Sequence, residues 1–130
     1  MPVLDTSFLV DLIRGEEDAL DALARLEEEH HDFTTTVINL LELFRGAYLS
    51  ERREENIAKV LEMVEGLDSL AIGWETCPIY GTLSATLKEK GIAVNGFDAV
   101  IAALVLEADG VIVTRDRHFK DIPGLEVISY

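Results

Sequence analysis

Four acidic residues stand out because their predicted positions bring their carboxylates to one edge of a sheet. Asp5 and Asp116 each follow a short apolar run that is typical of a strand. Asp98 lies at the start of a predicted helix, and Glu42 lies inside another helix that is almost wholly apolar. Carboxylates gathered in this way repel one another unless a positive charge lies among them. The four acids therefore predict a cation site.

The ligand type indicates which cation the site would take and which reaction it would support. All-oxygen ligation suits a hard divalent ion, Mg²⁺ or Mn²⁺, which keeps several waters and accepts phosphate oxygens as further ligands. The reaction that this chemistry favours is metal-assisted hydrolysis of a phosphodiester bond. The hydroxyl groups of Thr6, Ser7 and Thr114 are candidates to hydrogen-bond the carboxylates or a metal-bound water.

Each acid also has a purely structural explanation, which the sequence alone leaves open. Asp5 could serve simply as the N-cap of the first helix, without a catalytic role. Glu42 can form an ion pair with Arg45, three residues along the same helix. His30 and His31 are adjacent on the chain and point in different directions on a helix, so we do not expect them to share a metal ion.

The segment formed by residues 95–119 positions two of the acids and organises the rest of the chain. It is predicted to form a buried helix, a tight turn at Gly110 and a strand at Val111–Val113. A run of Val and Ile without alternation predicts a strand covered on both faces, as in a parallel sheet. Functional residues of such sheets lie beyond the carboxyl ends of the strands. Asp98 and Asp116 are expected at that edge.

The remaining chain repeats a pattern of one strand followed by two helices. Strands are predicted at Val3–Leu4 and at residues 33–36, 69–72 and 125–128 in addition to Val111–Val113, and the Val37–Leu49 helix is expected to be mostly buried because it is apolar nearly all round. This order predicts an α/β fold, a three-layer α/β/α sandwich with a mostly parallel central sheet of about five strands. Residues 1–130 are predicted to form a single domain.

Composition limits the classes of function. The chain is 48% hydrophobic, which favours a folded globule, and its single cysteine, Cys77, excludes an internal disulfide. We see neither a signal peptide nor an apolar run long enough for a membrane span, so a cytoplasmic protein is expected. The net charge of −14 makes the chain a poor general binder of polyanions. Binding of nucleic acid would need local basic residues, a cation or a partner.

The segments that carry the acids resemble those of PIN-domain proteins, close to the VapC-type toxins of toxin–antitoxin pairs. The matching segments are VLDTS at residues 3–7, NLLELFRG at 39–46, NGFDAVIAA at 95–103 and VTRDRHFK at 113–120, in an order that spans the whole chain. The resemblance implies a Mg²⁺- or Mn²⁺-dependent endoribonuclease with catalytic acids at Asp5, Glu42, Asp98 and Asp116. Asp5 and Asp98 are the expected metal ligands, since Asp116 falls where the family often has Asn.

The resemblance also implies partners. It predicts a homodimer and a VapB-type antitoxin whose C-terminal segment covers the site, and the apolar residues of Val37–Leu49 and of residues 57–64 are compatible with a dimer interface. The expected substrate is RNA, and Arg45, Arg115 and Arg117 are candidates to contact it despite the acidic chain.

Two other classes of function stay open. One is a PIN scaffold that acts as an interaction module with a vestigial site. The other is a phosphoacceptor receiver domain, which is also acidic and α/β. A receiver usually carries a paired acid after its first strand and a Lys after its last but one. Here Asp5 has no acidic neighbour, and Thr114 is followed by Arg115.

Overall fold

Five short parallel strands form the central sheet. The computed structural model describes residues 1–30 and 32–130, so the prediction about His31 lies outside the described residues. The strands are β1 (Val3–Leu4), β2 (Thr34–Thr36), β3 (Asp68–Leu70), β4 (Val111–Val113) and β5 (Glu126–Ile128). They lie in the order β3-β2-β1-β4-β5, and every neighbouring pair is parallel. The predicted parallel sheet of about five strands is therefore confirmed.

Pairs of helices connect the first four strands. The helices are α1 (Thr6–Ile13), α2 (Glu17–Glu29), α3 (Val37–Leu49), α4 (Arg53–Val64), α5 (Thr76–Lys90) and α6 (Gly96–Glu107), and a 3₁₀ turn covers Arg117–Asp121 before β5. Positive φ angles at Gly91 and Gly110 allow the chain to end α5 and to turn into β4. None of the described helices combines the length and apolar character that a membrane span requires.

The sheet separates two hydrophobic cores, which makes the protein a three-layer α/β/α sandwich. Successive residues of a strand point to opposite faces of a sheet. Val3 and Ile112 pack into the core beneath α5 and α6, whereas Leu4 and Val113 pack into the core beneath α1 to α4. All four side chains are almost completely buried. The strands at the centre of the sheet are covered on both faces, as the apolar run in β4 predicts.

The pairing of β1 with β4 determines what meets at the carboxyl edge. Leu4 lies opposite Val113, and the backbone N–H of Asp5 donates to the carbonyl of Val113 at 3.0 Å. The residues that follow these strands, Asp5 and Thr114, are consequently neighbours. On the other side of β1, β2 passes directly from Thr36 into α3, the helix that carries Glu42.

Two details of the sequence prediction are wrong. The third strand ends at Leu70 instead of residue 72, because Leu70 pairs with Thr36 and the chain beyond Thr36 is helical, which leaves Ala71 and Ile72 without a strand to pair with. The α3 helix is also less buried than expected. Only Ile38, Asn39, Leu43 and Ala47 of this helix are buried, whereas Leu41, Tyr48 and Leu49 are exposed.

Candidate active site

Asp5 is a buried carboxylate held by three side-chain donors. It occupies the N-cap position of α1, yet its side chain makes no capping hydrogen bond, so the explanation of Asp5 as a simple helix cap is wrong. Its Oδ1 accepts from Nδ2 of Asn39 at 2.8 Å, and its Oδ2 accepts from Oγ1 of Thr114 at 2.6 Å and from Oγ of Ser7 at 3.2 Å. The carboxylate is only 5% exposed. These bonds fix its orientation.

Asn39 is a site residue that the sequence reasoning did not identify. Its side chain is completely buried, and its Nδ2 lies within hydrogen-bond distance of both Asp5 and Oγ1 of Thr6, the latter at 2.9 Å. Oγ1 of Thr36 donates to Oδ1 of Asn39 at 2.7 Å, which fixes the amide. The sequence feature that could have identified Asn39 is its amide side chain, which lies in an apolar helix one turn before Glu42. A buried amide requires polar partners, so such a residue indicates other polar groups nearby.

Glu42 points toward the other acids. Oγ1 of Thr6 donates to its Oε1 at 2.8 Å, and no ion pair joins Glu42 to Arg45 in the part of the chain that the structure describes. Burial raises the pKa of Glu42 above its ordinary value of 4.5, the hydrogen bond from Thr6 opposes that rise, and the negative charges of Asp5, Asp98 and Asp116 add to it. Glu42 thus responds electrostatically to all three aspartates.

Asp98 lies in the first turn of α6, next to its cap. The Asn95 side chain accepts from the Asp98 backbone N–H at 2.9 Å and donates from Nδ2 to Oδ2 of Asp98 at 2.7 Å. Burial raises the pKa of Asp98, and the charges of Asp116 and Asp5 raise it further, while the hydrogen bond from Asn95 and the charge of His118 act against the rise. Asn95 orients the carboxylate without neutralising the surrounding charge.

Asp116 is tied to the 3₁₀ turn that follows it. Its Oδ1 accepts from the backbone N–H of His118 at 2.9 Å and lies 2.8 Å from Nδ1 of that residue. Its own backbone N–H donates to Oγ1 of Thr114 at 2.9 Å. That hydroxyl is also 3.1 Å from Oγ of Ser7. Thr114 therefore links Asp5, Ser7 and Asp116 in one hydrogen-bonded network.

The four acids form an electrostatic cluster, but their side chains do not converge on one point. The pKa values of Glu42 and Asp98 are raised mainly by burial and further by repulsion from the neighbouring acids, and a cation would relieve that repulsion. Among residues 1–30 and 32–130, no group of three or more His, Cys, Asp or Glu side chains is arranged to hold a metal ion. A hydrated hard cation, which bonds directly to only one or two carboxylates, fits this donor set.

The three predicted RNA-contacting arginines lie in different settings. Arg45 is exposed on α3, and Arg117 is exposed at the start of the 3₁₀ turn. Nη1 of Arg115 lies 3.3 Å from Oδ1 of Asp11 on α1. Arg115 and Arg117 flank Asp116 on the chain, whereas Arg45 lies one turn beyond Glu42. Two of the three arginines therefore lie at the carboxyl end of β4, beside Asp116 on the chain.

Sequence comparisons relate nearly the whole chain to known proteins. A family model described as the PIN domain matches residues 3–125. Ribonuclease VapC2 of Rickettsia felis is 27% identical over 124 residues, which cover 95% of this chain and 92% of the relative. The tRNA(fMet)-specific endonuclease VapC of Salmonella typhimurium is 28% identical over 126 residues, which cover 96% of this chain and 94% of the relative.

Solved structures share the same fold. The chain is similar to one in the crystal structure of VapBC2 from Rickettsia felis bound to a promoter DNA fragment, with a TM-score of 0.89, 25% identity and coverage of 98% of this chain and 97% of that one. It is also similar to one in DNA-bound VapBC from Salmonella typhimurium, with a TM-score of 0.85, 27% identity and coverage of 99% and 98%.

Proposed function

This chain belongs to the PIN-domain family, and from that premise we propose that it is a divalent-metal-dependent endoribonuclease, the toxin of a VapBC-type toxin–antitoxin pair. The observation that supports the proposal most is the clustering of four carboxylates from four distant segments at the carboxyl edge of the sheet. Asp5 is buried and accepts hydrogen bonds from Asn39 and Thr114, and Glu42 and Asp98 respond to the negative charges around them. We treat residues 1–130 as a single PIN-like domain.

We assign Asp5 and Asp98 as the metal ligands, with Glu42 and Asp116 as the other catalytic acids. When bound, Mg²⁺ or Mn²⁺ would neutralise charge on the scissile phosphate and acidify a water. Asn39 and Thr114 hold the two oxygens of Asp5, and Asn95 orients Asp98. These donors keep the carboxylates in place before substrate arrives, so little reorganisation is needed during the reaction.

Glu42 is suited to receive a proton. Its Oε1 accepts from Thr6, whereas Oε2 accepts no hydrogen bond from any described residue. Burial and neighbouring negative charge raise its pKa, which makes it a stronger base than an ordinary glutamate. We assign Oε2 as the atom that takes a proton from the attacking water.

The proposed partners follow from the complexes in which similar chains occur. Similar chains occur in crystal structures of VapBC assemblies, two of which are bound to DNA. We propose that this chain binds a VapB-type antitoxin and forms a homodimer. A groove of about 260 Å³ beside Glu42, lined by apolar residues of α1, α3 and α4 together with Arg14 and Lys59, is suited to a short antitoxin segment. We also propose that the protein acts in the cytoplasm.

Cleavage of RNA by purified protein tests the proposal. We expect cleavage of total RNA with Mg²⁺ or Mn²⁺, none with EDTA, and none by Asp5→Asn that keeps the parent circular dichroism spectrum. Glu62→Gln, which changes an exposed acid of α4, is the matched control and should cleave normally. Cleavage by Asp5→Asn at the parent rate would contradict the proposal.

One observation favours the scaffold alternative. No three metal-ligating side chains converge among the described residues, as in a site that has lost its ion. A parent protein that neither binds Mn²⁺ nor cleaves RNA would establish this alternative. The receiver-domain alternative is wrong, since the PIN-domain model matches residues 3–125.

A further inference from the structure

Asp11 is a buried acid that the proposed reaction does not use. It lies on α1 and is 3% exposed. Its Oδ2 accepts from the Tyr130 hydroxyl at 2.6 Å, and its Oδ1 lies 3.3 Å from Nη1 of Arg115. A buried carboxylate is costly unless it is paired and hydrogen-bonded. Asp11 thus fixes one end of the Arg115 guanidinium.

Tyr130 is itself held in place. Its ring packs edge-on against the buried ring of Phe8, with ring centroids 4.9 Å apart and an interplanar angle of 67°. The hydroxyl therefore has a defined position from which to donate to Asp11. Phe8, Tyr130 and Asp11 form a rigid support for Arg115, whose side chain is still 56% exposed. A guanidinium has five N–H donors, and its exposed part remains available to a ligand.

Arg115 and Tyr130 line two cavities whose other charged residues differ in the sign of their net charge. On one side, a cavity of about 450 Å³ is lined by the acids Asp11, Glu16, Glu17 and Asp18. On the other side, a cavity of about 290 Å³ is lined by Arg117 and Lys120 together with Asp116 and Ser129. Of these two cavities, only the second is lined by cationic side chains in addition to Arg115. We call this second one the basic cavity.

The basic cavity adjoins the candidate active site. Asp116 lines it, and the Asp116 carboxylate is already engaged by the backbone and ring of His118. The backbone N–H of Arg115 donates to Oγ of Ser7, which in turn donates to Asp5. Three cations thus line one cavity next to the acids, in a chain that carries 11 Lys and Arg residues against 25 acids. Such a local concentration attracts a phosphate.

We propose that the basic cavity binds a backbone phosphate of RNA on the Asp116 side of the active site, that Arg115, Arg117 and Lys120 contact it, and that Asp11 and Tyr130 are positioning residues for Arg115. This inference rests on the proposed ribonuclease function. The acids on the far side of Arg115 repel the strand. The RNA is therefore directed past Lys120 and away from α2.

Steady-state cleavage of RNA with Mn²⁺, measured at several NaCl concentrations, tests the subsite. We expect Arg117→Gln and Lys120→Gln each to raise KM roughly tenfold and to weaken its salt dependence, since each removes a phosphate contact. The value of kcat should stay within about twofold, because such contacts are the same in the ground and transition states. Arg25→Gln, an exposed arginine of α2 that lines neither cavity, is the matched control.

The positioning role has its own variants. Asp11→Asn removes the charge that holds Arg115, and Tyr130→Phe removes the hydroxyl but keeps the ring on Phe8. Both should raise KM, by a smaller factor than Arg117→Gln, and Glu16→Gln in the acidic cavity should not. Tyr130→Phe keeps the test decisive if Asp11→Asn fails to fold.

Failure of the subsite differs from failure of the proposed function. Active parent protein with unchanged KM in Arg117→Gln and Lys120→Gln overturns the subsite alone. A fall in kcat at constant KM in Asp11→Asn and Tyr130→Phe assigns these residues a structural role and overturns the positioning claim. A parent protein that cleaves no RNA overturns the function and the subsite together.

Discussion

The hydroxyl of Thr114 donates a hydrogen bond of 2.6 Å to Oδ2 of Asp5, although 109 positions separate the two residues in sequence. Parallel pairing of β1 with β4 produces this contact, because each residue follows directly after one of the two central strands. Both side chains are buried. The sheet therefore positions the first carboxylate of the candidate site directly, without a flexible loop.

Replacement of Thr114 by Val should remove this donor and weaken both the fold and the activity. Asp5 and the backbone N–H of Asp116 each lose a partner, so we expect a loss of about 1–3 kcal/mol in the free energy of unfolding. RNA cleavage should fall with it. Thr114→Ser, which keeps the hydroxyl, should cost about 1 kcal/mol for the buried methyl group and retain most activity. Urea unfolding and cleavage assays check both variants. Normal activity in Thr114→Val would contradict the role of the hydroxyl.

Asn39 gives a second test of how Asp5 is held. Asn39→Ala leaves Oδ1 of Asp5 without its amide donor in a buried position, so we expect a loss of about 2 kcal/mol of stability and a marked fall in cleavage. Asn56→Ala is the matched control, because the side chain of Asn56 donates to Ser50 and is hydrogen-bonded to none of the four acids in the described structure. Chemical denaturation of both proteins provides the comparison. Equal effects of the two substitutions would show that Asn39 has no special role.

Glu42 makes stability depend on pH. The fold raises the pKa of Glu42, so between the ordinary value of 4.5 and the raised value the native state binds more protons than the unfolded chain. The free energy of unfolding therefore falls as pH rises through this interval, and Asp98 contributes in the same direction. In metal-free buffer, Glu42→Gln should be more stable than the parent at neutral pH, by less than about 1 kcal/mol because partial exposure to solvent screens the repulsion.

The stability difference between Glu42→Gln and the parent should shrink as pH falls and vanish below about pH 3, where Glu42 is protonated in both the native and the unfolded state. Thermal unfolding across this range, with EDTA present, gives the profile. Glu62→Gln should keep the parent profile. The prediction would be contradicted if the free energy of unfolding of the parent increased relative to that of Glu42→Gln as pH rises toward neutrality.

The exposed leucines of α3 and α4 give a prediction about assembly. Leu49 of α3 is 69% exposed and Leu61 of α4 is 53% exposed, which makes them candidates for a surface that a partner covers. We expect the parent to be a homodimer by light scattering, and Leu49→Glu or Leu61→Glu to shift it toward the monomer. Leu20→Glu, which changes an exposed leucine on α2, should leave the dimer intact. A monomeric parent would refute this interface.

The sequence predicts the fold well because the apolar patterns are strong. The short Val and Ile run of β4 is typical of a strand buried on both faces, as in a parallel sheet, and the regular alternation of strands with helix pairs indicates the layers. Strand boundaries depend on partners instead. The end of β3 at Leu70 is set by the point where the neighbouring β2 becomes helix, which the β3 sequence itself does not contain.

The candidate site is only partly predictable for a similar reason. Asp5, Asp98 and Asp116 are recognisable from their places at strand ends and a helix start, and Glu42 is recognisable as a carboxylate inside an apolar helix. The hydroxyls of Thr6, Ser7 and Thr114 are recognisable from their proximity to the aspartates in sequence. Asn39 and the pair of Asp11 with Tyr130 acquire their roles from contacts across 34 and 119 positions. An amide or carboxylate inside an amphipathic helix has the same local pattern whether it faces solvent or a buried partner.

Calorimetric titration of Mn²⁺ into the metal-free protein tests most directly whether the clustered carboxylates hold a divalent cation. We predict saturable binding of Mn²⁺ to the parent and to Glu62→Gln. We predict no binding to Asp98→Asn, although this variant should be folded and should unfold at no lower temperature than the parent. Saturating Mn²⁺ should raise the parent melting temperature, since the ion binds only the native state. Absence of binding to the parent, or equal binding to Asp98→Asn, would contradict the account.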